Sequence, residues 1–137
     1  MTVVRAGVAA ALAMGLLTVG CGSSDESTDA ADSEAATPQQ ALTQVRATRD
    51  GLTKALNTYR SGDHAAADRQ VGDTYLEHFE RVEGPLEKAD KELNEQLEDA
   101  IREELRGKMK ADAKMAEVER LADQIMADLD RAEAALR

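Results

Sequence analysis

One cysteine, no tryptophan, two tyrosines, one phenylalanine, two histidines and two prolines are all that 137 residues hold of those types. A lone cysteine excludes an intramolecular disulfide and a CxxC pair. Three aromatic rings cannot carry a core, so packing must come from Leu, Ile, Val, Met and Ala. No segment shows period-two alternation or β-branched clusters, which leaves no sheet to predict. HExxH, ExxH and a Gly-rich phosphate loop are missing, and neither His64 nor His78 has a serine or cysteine in a catalytic context. These absences argue against an enzyme and leave carboxylates as its one means. Positive charge is short too: 17 basic residues stand against 27 acidic ones, a net charge of −10. Such a surface repels phosphate backbones and anionic lipid, which argues against nucleic acid. It attracts cations or basic partners, subject to salt screening.

What is present begins with an apolar run over 6–19, with Arg5 as the only charge in residues 1–20. The run is shorter than the roughly 20 residues a transmembrane helix needs, and a charged start before an apolar stretch is the layout of an export signal. It ends in Leu17-Thr18-Val19-Gly20-Cys21. A leucine, a small residue and then cysteine resembles the lipobox of bacterial lipoproteins, although Thr18 stands where that pattern places its leucine. The resemblance implies that residues 1–20 are a signal peptide and that Cys21 carries diacylglycerol on the extracytoplasmic face of the membrane. Two acyl chains, at about 0.8 kcal/mol per buried CH₂, suffice for stable anchoring. The alternative is a free thiol behind an ordinary signal peptide.

Residues 22–36 are small, polar and acidic, with no basic residue. They cannot bury apolar area, so 21–36 reads as a disordered, self-repelling tether. Residues 37–137 read as helix. Thr37-Pro38 is a start signal, and Leu42, Val45, Leu52, Leu56 and Tyr59 mark one face. Ser61-Gly62 ends that helix and Asp63 caps a second, with Ala67, Val71, Tyr75 and Val82 on its stripe and Phe79 at the edge. Gly84-Pro85 predicts the next break. A third helix is expected from about Leu86 to Lys110 with stripe Leu86, Leu93, Leu97, Ala100 and Ile101, and with Leu105 at the edge. Asp112 is expected to cap a fourth, with stripe Met115, Val118, Ala122, Ile125, Leu129, Ala132 and Leu136. Short connections predict an all-α, antiparallel up-down four-helix bundle. A long helical hairpin that dimerises through the fourth helix is the alternative.

Polar residues interrupt these stripes: Arg49 in the first, His64 and His78 in the second, Asp90 and Glu104 in the third. Counting outward from the turns puts His78 level with Asp90, His64 level with Glu104, and Arg49 near Tyr75 and Asn94. Buried polar groups must be paired. His–carboxylate layers could hold a metal, as helical bundles do; hydrogen-bonded or ion-paired core residues are the commoner outcome of such a pattern. On the opposite face of the second helix Asp73, Glu77, Glu80 and Glu83 recur at helical spacing. They form either a hard-cation site of oxygen ligands or a solvated face. Met109, Met115 and Met126 sit at apolar positions and read as core filler.

The stretch 59–106 carries a second resemblance. Its order Tyr59, Gly62-Asp63, Ala67, Val71, Tyr75, Phe79-Glu80, Glu83-Gly84-Pro85-Leu86-Glu87 and Leu97-Glu98 is similar to the extracytoplasmic helical domain of bacterial high-affinity iron permeases. That resemblance covers under half of the chain after Cys21, and there is no permease part. It implies a domain that assists iron uptake beside a membrane transporter, with Glu80, Glu83 and Glu98 as carboxylate ligands; His78, from the polar layers, joins them as a further candidate. Iron or another divalent cation would be the ligand. The competing expectation is a non-enzymatic envelope lipoprotein that binds another protein without metal.

Overall fold

A computed structural model describes residues 36–137. Every regular element among them is helical. The first helix is Pro38–Arg60. The second runs through His64–Thr74, a π-helical turn Tyr75–Phe79 and Glu80–Ala89. The third runs through Lys91–Asp99, a π-helical turn Ala100–Leu105 and Arg106–Lys110. The fourth is Met115–Ala135. Among the described residues, none of these is long and apolar enough to cross a membrane.

Local chemistry sets most boundaries. The Thr37 hydroxyl accepts from the Gln40 backbone N–H at 3.2 Å, and Gln40 Oε1 accepts from the Thr37 N–H at 2.7 Å. This reciprocal capping box satisfies two otherwise orphaned donors. Pro38, next in line, loses nothing by lacking an N–H there. Gly62 takes a φ of 95°, a left-handed conformation suited to glycine, and Asp63 caps the second helix through the Ala66 N–H at 3.0 Å.

Two boundaries differ from expectation. Gly84-Pro85 does not break the chain: the helix continues to Ala89, with Val82, Pro85 and Leu86 buried. Proline inside a helix costs about 3 kcal/mol or more. Burying flanking side chains such as Val82 and Leu86, at roughly 1.5–3 kcal/mol each, offsets it. The break falls at Asp90, whose extended backbone (φ −154°, ψ 89°) and side-chain bond to the Leu93 N–H at 3.0 Å make it the cap of the third helix. Asp112 does not cap the fourth helix. That position is Lys114, without a side-chain cap, and Asp112 has a positive φ of 51°.

The core forms a bundle seam of buried Leu, Ile, Val, Ala and Met residues with Tyr59, Tyr75 and Phe79. In the third helix the buried residues Leu93, Leu97, Ile101, Leu105 and Met109 advance by four each time. An α-helix over-rotates by about 40° at every step of four. A π turn holds an extra residue and absorbs the drift. The same applies to Val71, Tyr75 and Phe79 across the other π turn. Cross-helix ion pairs run in order. Arg46 meets Glu133 at 3.1 Å, Arg49 meets Asp130 at 2.6 Å and Arg60 meets Glu119 at 2.8 Å, so numbers rise on the first helix as they fall on the fourth. Asp68–Arg106 at 2.8 Å and His64–Asp112 at 2.7 Å join the second helix to the third helix and the loop after it. The exposed ones among these pairs contribute about 0–1 kcal/mol each, so they report register more than stability.

Candidate functional site

The two π turns bring four polar side chains together. Tyr75, first in its turn, donates its hydroxyl hydrogen to Glu83 Oε1 at 2.5 Å. Arg102, inside the other turn, donates to Glu98 Oε1 at 2.9 Å. Its guanidinium carbon lies 5.9 Å from the centroid of the Tyr75 ring. Burial pushes the Glu83 carboxyl above the usual carboxylate range. The Tyr75 hydrogen bond pulls it back, and the charges of Glu98 and Glu80 raise it further. The Tyr75 phenol is driven well up, by burial first and then by its bond to Glu83. Glu80, Glu83 and Glu98 therefore share one electrostatic neighbourhood, with Arg102 as its resident cation. Glu80 itself is exposed and Glu83 and Glu98 are half-buried.

His78 stands apart from that group. Its Nδ1 lies 3.0 Å from Gln44 Oε1, on the side of the first helix. Among the described residues, no group of three or more His, Cys, Asp or Glu side chains is arranged to hold a metal ion. Cys21, with the whole of 1–35, lies outside the described residues.

The polar layers pair differently from the expected ones. Asp90 does not meet His78, because its carboxylate is committed to the Leu93 N–H. His64 stacks on Tyr59, with ring centroids 3.9 Å apart and planes 14° from parallel, and its Nδ1 meets Asp112 Oδ1. Glu104 is exposed and far from that role. Its expected core position three residues after Ile101 passes to Leu105, as that of His78 passes to Phe79, because the π turns move the stripe by one residue. Arg49 turns to Asp130 on the fourth helix and away from Tyr75, with a buried Nε that has no partner among the described residues. Asn94 is buried, and its Oδ1 is likewise unpartnered.

Met109 is fully buried, and Met115 and Met126 pack against the core. Sequence reasoning missed two members of the cluster. Tyr75 was expected on the second stripe in a layer with Arg49 and Asn94, not beside these glutamates, and Arg102 was not singled out. The i,i+4 spacing of Glu98 and Arg102 is a signal that could have found the second; the Tyr75–Glu83 bond spans eight residues across a π turn and leaves no such signal. No protein family, curated protein or solved structure matches this chain.

Proposed function

We propose that this chain is a non-enzymatic lipoprotein, acylated at Cys21 and held by a 21–36 tether at the extracytoplasmic face of a bacterial membrane. Its domain, 37–137, is an antiparallel up-down four-helix bundle that assists metal uptake, iron first, beside a membrane transporter. The opposed numbering of the first- and fourth-helix ion pairs supports the up-down order. The observation that carries the metal reading is that Glu83, bound by the Tyr75 hydroxyl, and Glu98, bound by Arg102 whose guanidinium carbon lies 5.9 Å from the Tyr75 ring centroid, stand in one cluster. Like charges held close disfavour ionisation, and a hard cation relieves that by taking carboxylate oxygens. Arg102 already pairs with Glu98 and no metal-holding group is preformed among the described residues, so uptake means displacing its guanidinium and drawing the carboxylates together. His78, bound to Gln44, is not needed in this ligand set. Leu76 is the only large hydrophobic side chain exposed among the described residues, at 59%. That leaves the competing protein-partner reading without an apolar strip.

The test uses residues 37–137, which hold every helix of the described residues. Ferrous, ferric and zinc ions are titrated by calorimetry into this domain and into Glu83→Gln, Glu98→Gln and Glu104→Gln forms. Binding tighter than about 10 μM, roughly −7 kcal/mol, lost in the first two and kept in the third, supports metal capture. Absent binding, or equal binding in all forms, removes it. Anchoring is checked separately, by loss of acyl labelling and membrane partition in Cys21→Ser.

A further inference from the structure

A cleft of about 440 Å³ lies between the first and second helices, away from the glutamate cluster. Its floor is shallow in side chains because Ala47 and Gly51, one helical turn apart, add almost no bulk. The helices touch beside it: a Cβ on Gly51 would stand 2.3 Å from Thr74 Oγ1. The walls are polar. Asp50 and Lys54 come from the first helix, and Gln70, Asp73, Glu77 and His78 from the second. The volume is in the range of small-molecule pockets, roughly 300–1,000 Å³.

Its hydrogen-bonding capacity is lopsided. Asp50, Asp73 and Glu77 are acceptors, and none enters an ion pair among the described residues. Gln70 Oε1 is buried without a partner. Gln44 Oε1 can only accept, so the His78 nitrogen beside it, Nδ1, carries the hydrogen. Against these acceptors stands one charged donor, Lys54. The acceptors are also spread out. Gln70 and Glu77 are separated by about 10 Å of helix at 1.5 Å per residue. Those two cannot share one small ion, whereas an elongated ligand can span them.

We propose that this cleft binds a small organic cation of the linear polyamine class. Ammonium groups separated by short methylene runs supply N–H donors at intervals along the two helices. The methylenes lie over Ala47 and Gly51. This inference is independent of the metal reading, since it uses none of Glu80, Glu83 or Glu98.

Spermidine titrated into the full chain by calorimetry, at constant ionic strength, is expected to bind saturably at one site. The paired change Asp73→Asn with Glu77→Gln is expected to weaken it by about tenfold or more. The charge-matched pair Asp123→Asn with Glu103→Gln, both at exposed positions outside the cleft, should leave it unchanged. Tetramethylammonium, a cation without N–H donors, should not compete. Equal weakening by the two variant pairs, competition by tetramethylammonium or magnesium at matched ionic strength, or no saturable binding would each overturn the proposal. All four substitutions are at exposed positions, and circular dichroism confirms that both forms are folded.

Discussion

The first and fourth helices are unbroken α-helices, whereas the second and third each contain a π turn. The difference follows from side-chain spacing. Val118, Ala122, Ile125, Leu129 and Ala132 alternate steps of four and three, which keeps an α-helical stripe straight. The third helix repeats steps of four without relief, from Leu93 to Met109. Its stripe would wind around a pure α-helix by about 160°. A wider turn brings Ile101 and Leu105 back to the same seam. Both π turns also deliver a member of the Tyr75–Glu83–Glu98–Arg102 cluster, in keeping with the frequent placement of such turns at functional sites.

This contrast breaks most sharply under deletion. Removing exposed Leu76 shortens the Tyr75-to-Phe79 step to three, which a plain α-helix accepts. Removing exposed Thr53 shortens the Leu52-to-Ala55 step to two, which no helical face accepts. The Thr53 deletion should abolish cooperative thermal unfolding, erasing a stability of about 5–15 kcal/mol. The Leu76 deletion should remain folded at a cost below about 3 kcal/mol. If melts followed by circular dichroism show both chains equally unfolded, the π turn does not hold a dispensable residue.

A smaller effect tests where a regular helix meets an interrupted one. Gly51→Ala gains up to about 1 kcal/mol of helix propensity. It also forces a Cβ onto the buried Thr74, an overpacking cost of about 1–3 kcal/mol. A net loss is expected in urea unfolding, and Thr74→Ala in the same chain should reverse it. Stabilisation by Gly51→Ala alone would show that the two helices can move apart freely.

The least effect is expected from pH, and its sign differs between the helix pairs. Arg137 and Arg46 hold the Glu133 carboxyl below its ordinary value. Glu133 therefore stabilises the fold above its unfolded-state pKa, and that contribution fades as pH falls through the folded one. Glu83 is raised by burial and by Glu98 and Glu80. Its contribution is full below the unfolded-state pKa and fades as pH rises through the folded one. Urea midpoints followed through the carboxylate range should lose the acid-side decline in Glu133→Gln and the rising-pH decline in Glu83→Gln. Parallel profiles in the two variants would contradict the assigned signs.

Much of the fold was legible because capping and periodicity are local. Thr37-Pro38, Ser61-Gly62-Asp63 and the whole fourth stripe needed only near neighbours. Gly84-Pro85 misled because burial around Pro85 outweighs a local preference. Asp90 was paired with His78 by counting outward from that false break. His78 and Glu104 were placed on the seam because an α period was carried through two π turns. The repeated steps of four were the available sign. In the candidate site, Glu80 and Glu83 were visible as carboxylates at helical spacing, and Glu98 only through the resemblance over 59–106. Their attachment to Tyr75 and Arg102 depends on how two helices pack, which no local pattern encodes.

Ala36 and Pro38, where the described chain begins, line the same small hollow as Ala135 and Leu136, where it ends. The backbone is thus nearly a closed circuit. A short bridge from Arg137 to Thr37 would complete it, and the exposed turn at 61–63 offers a place to reopen it. In such a permuted chain the order of the helices changes but their contacts do not. Anything fused after Arg137 would emerge beside Ala36, so the two ends of the described chain share one pole.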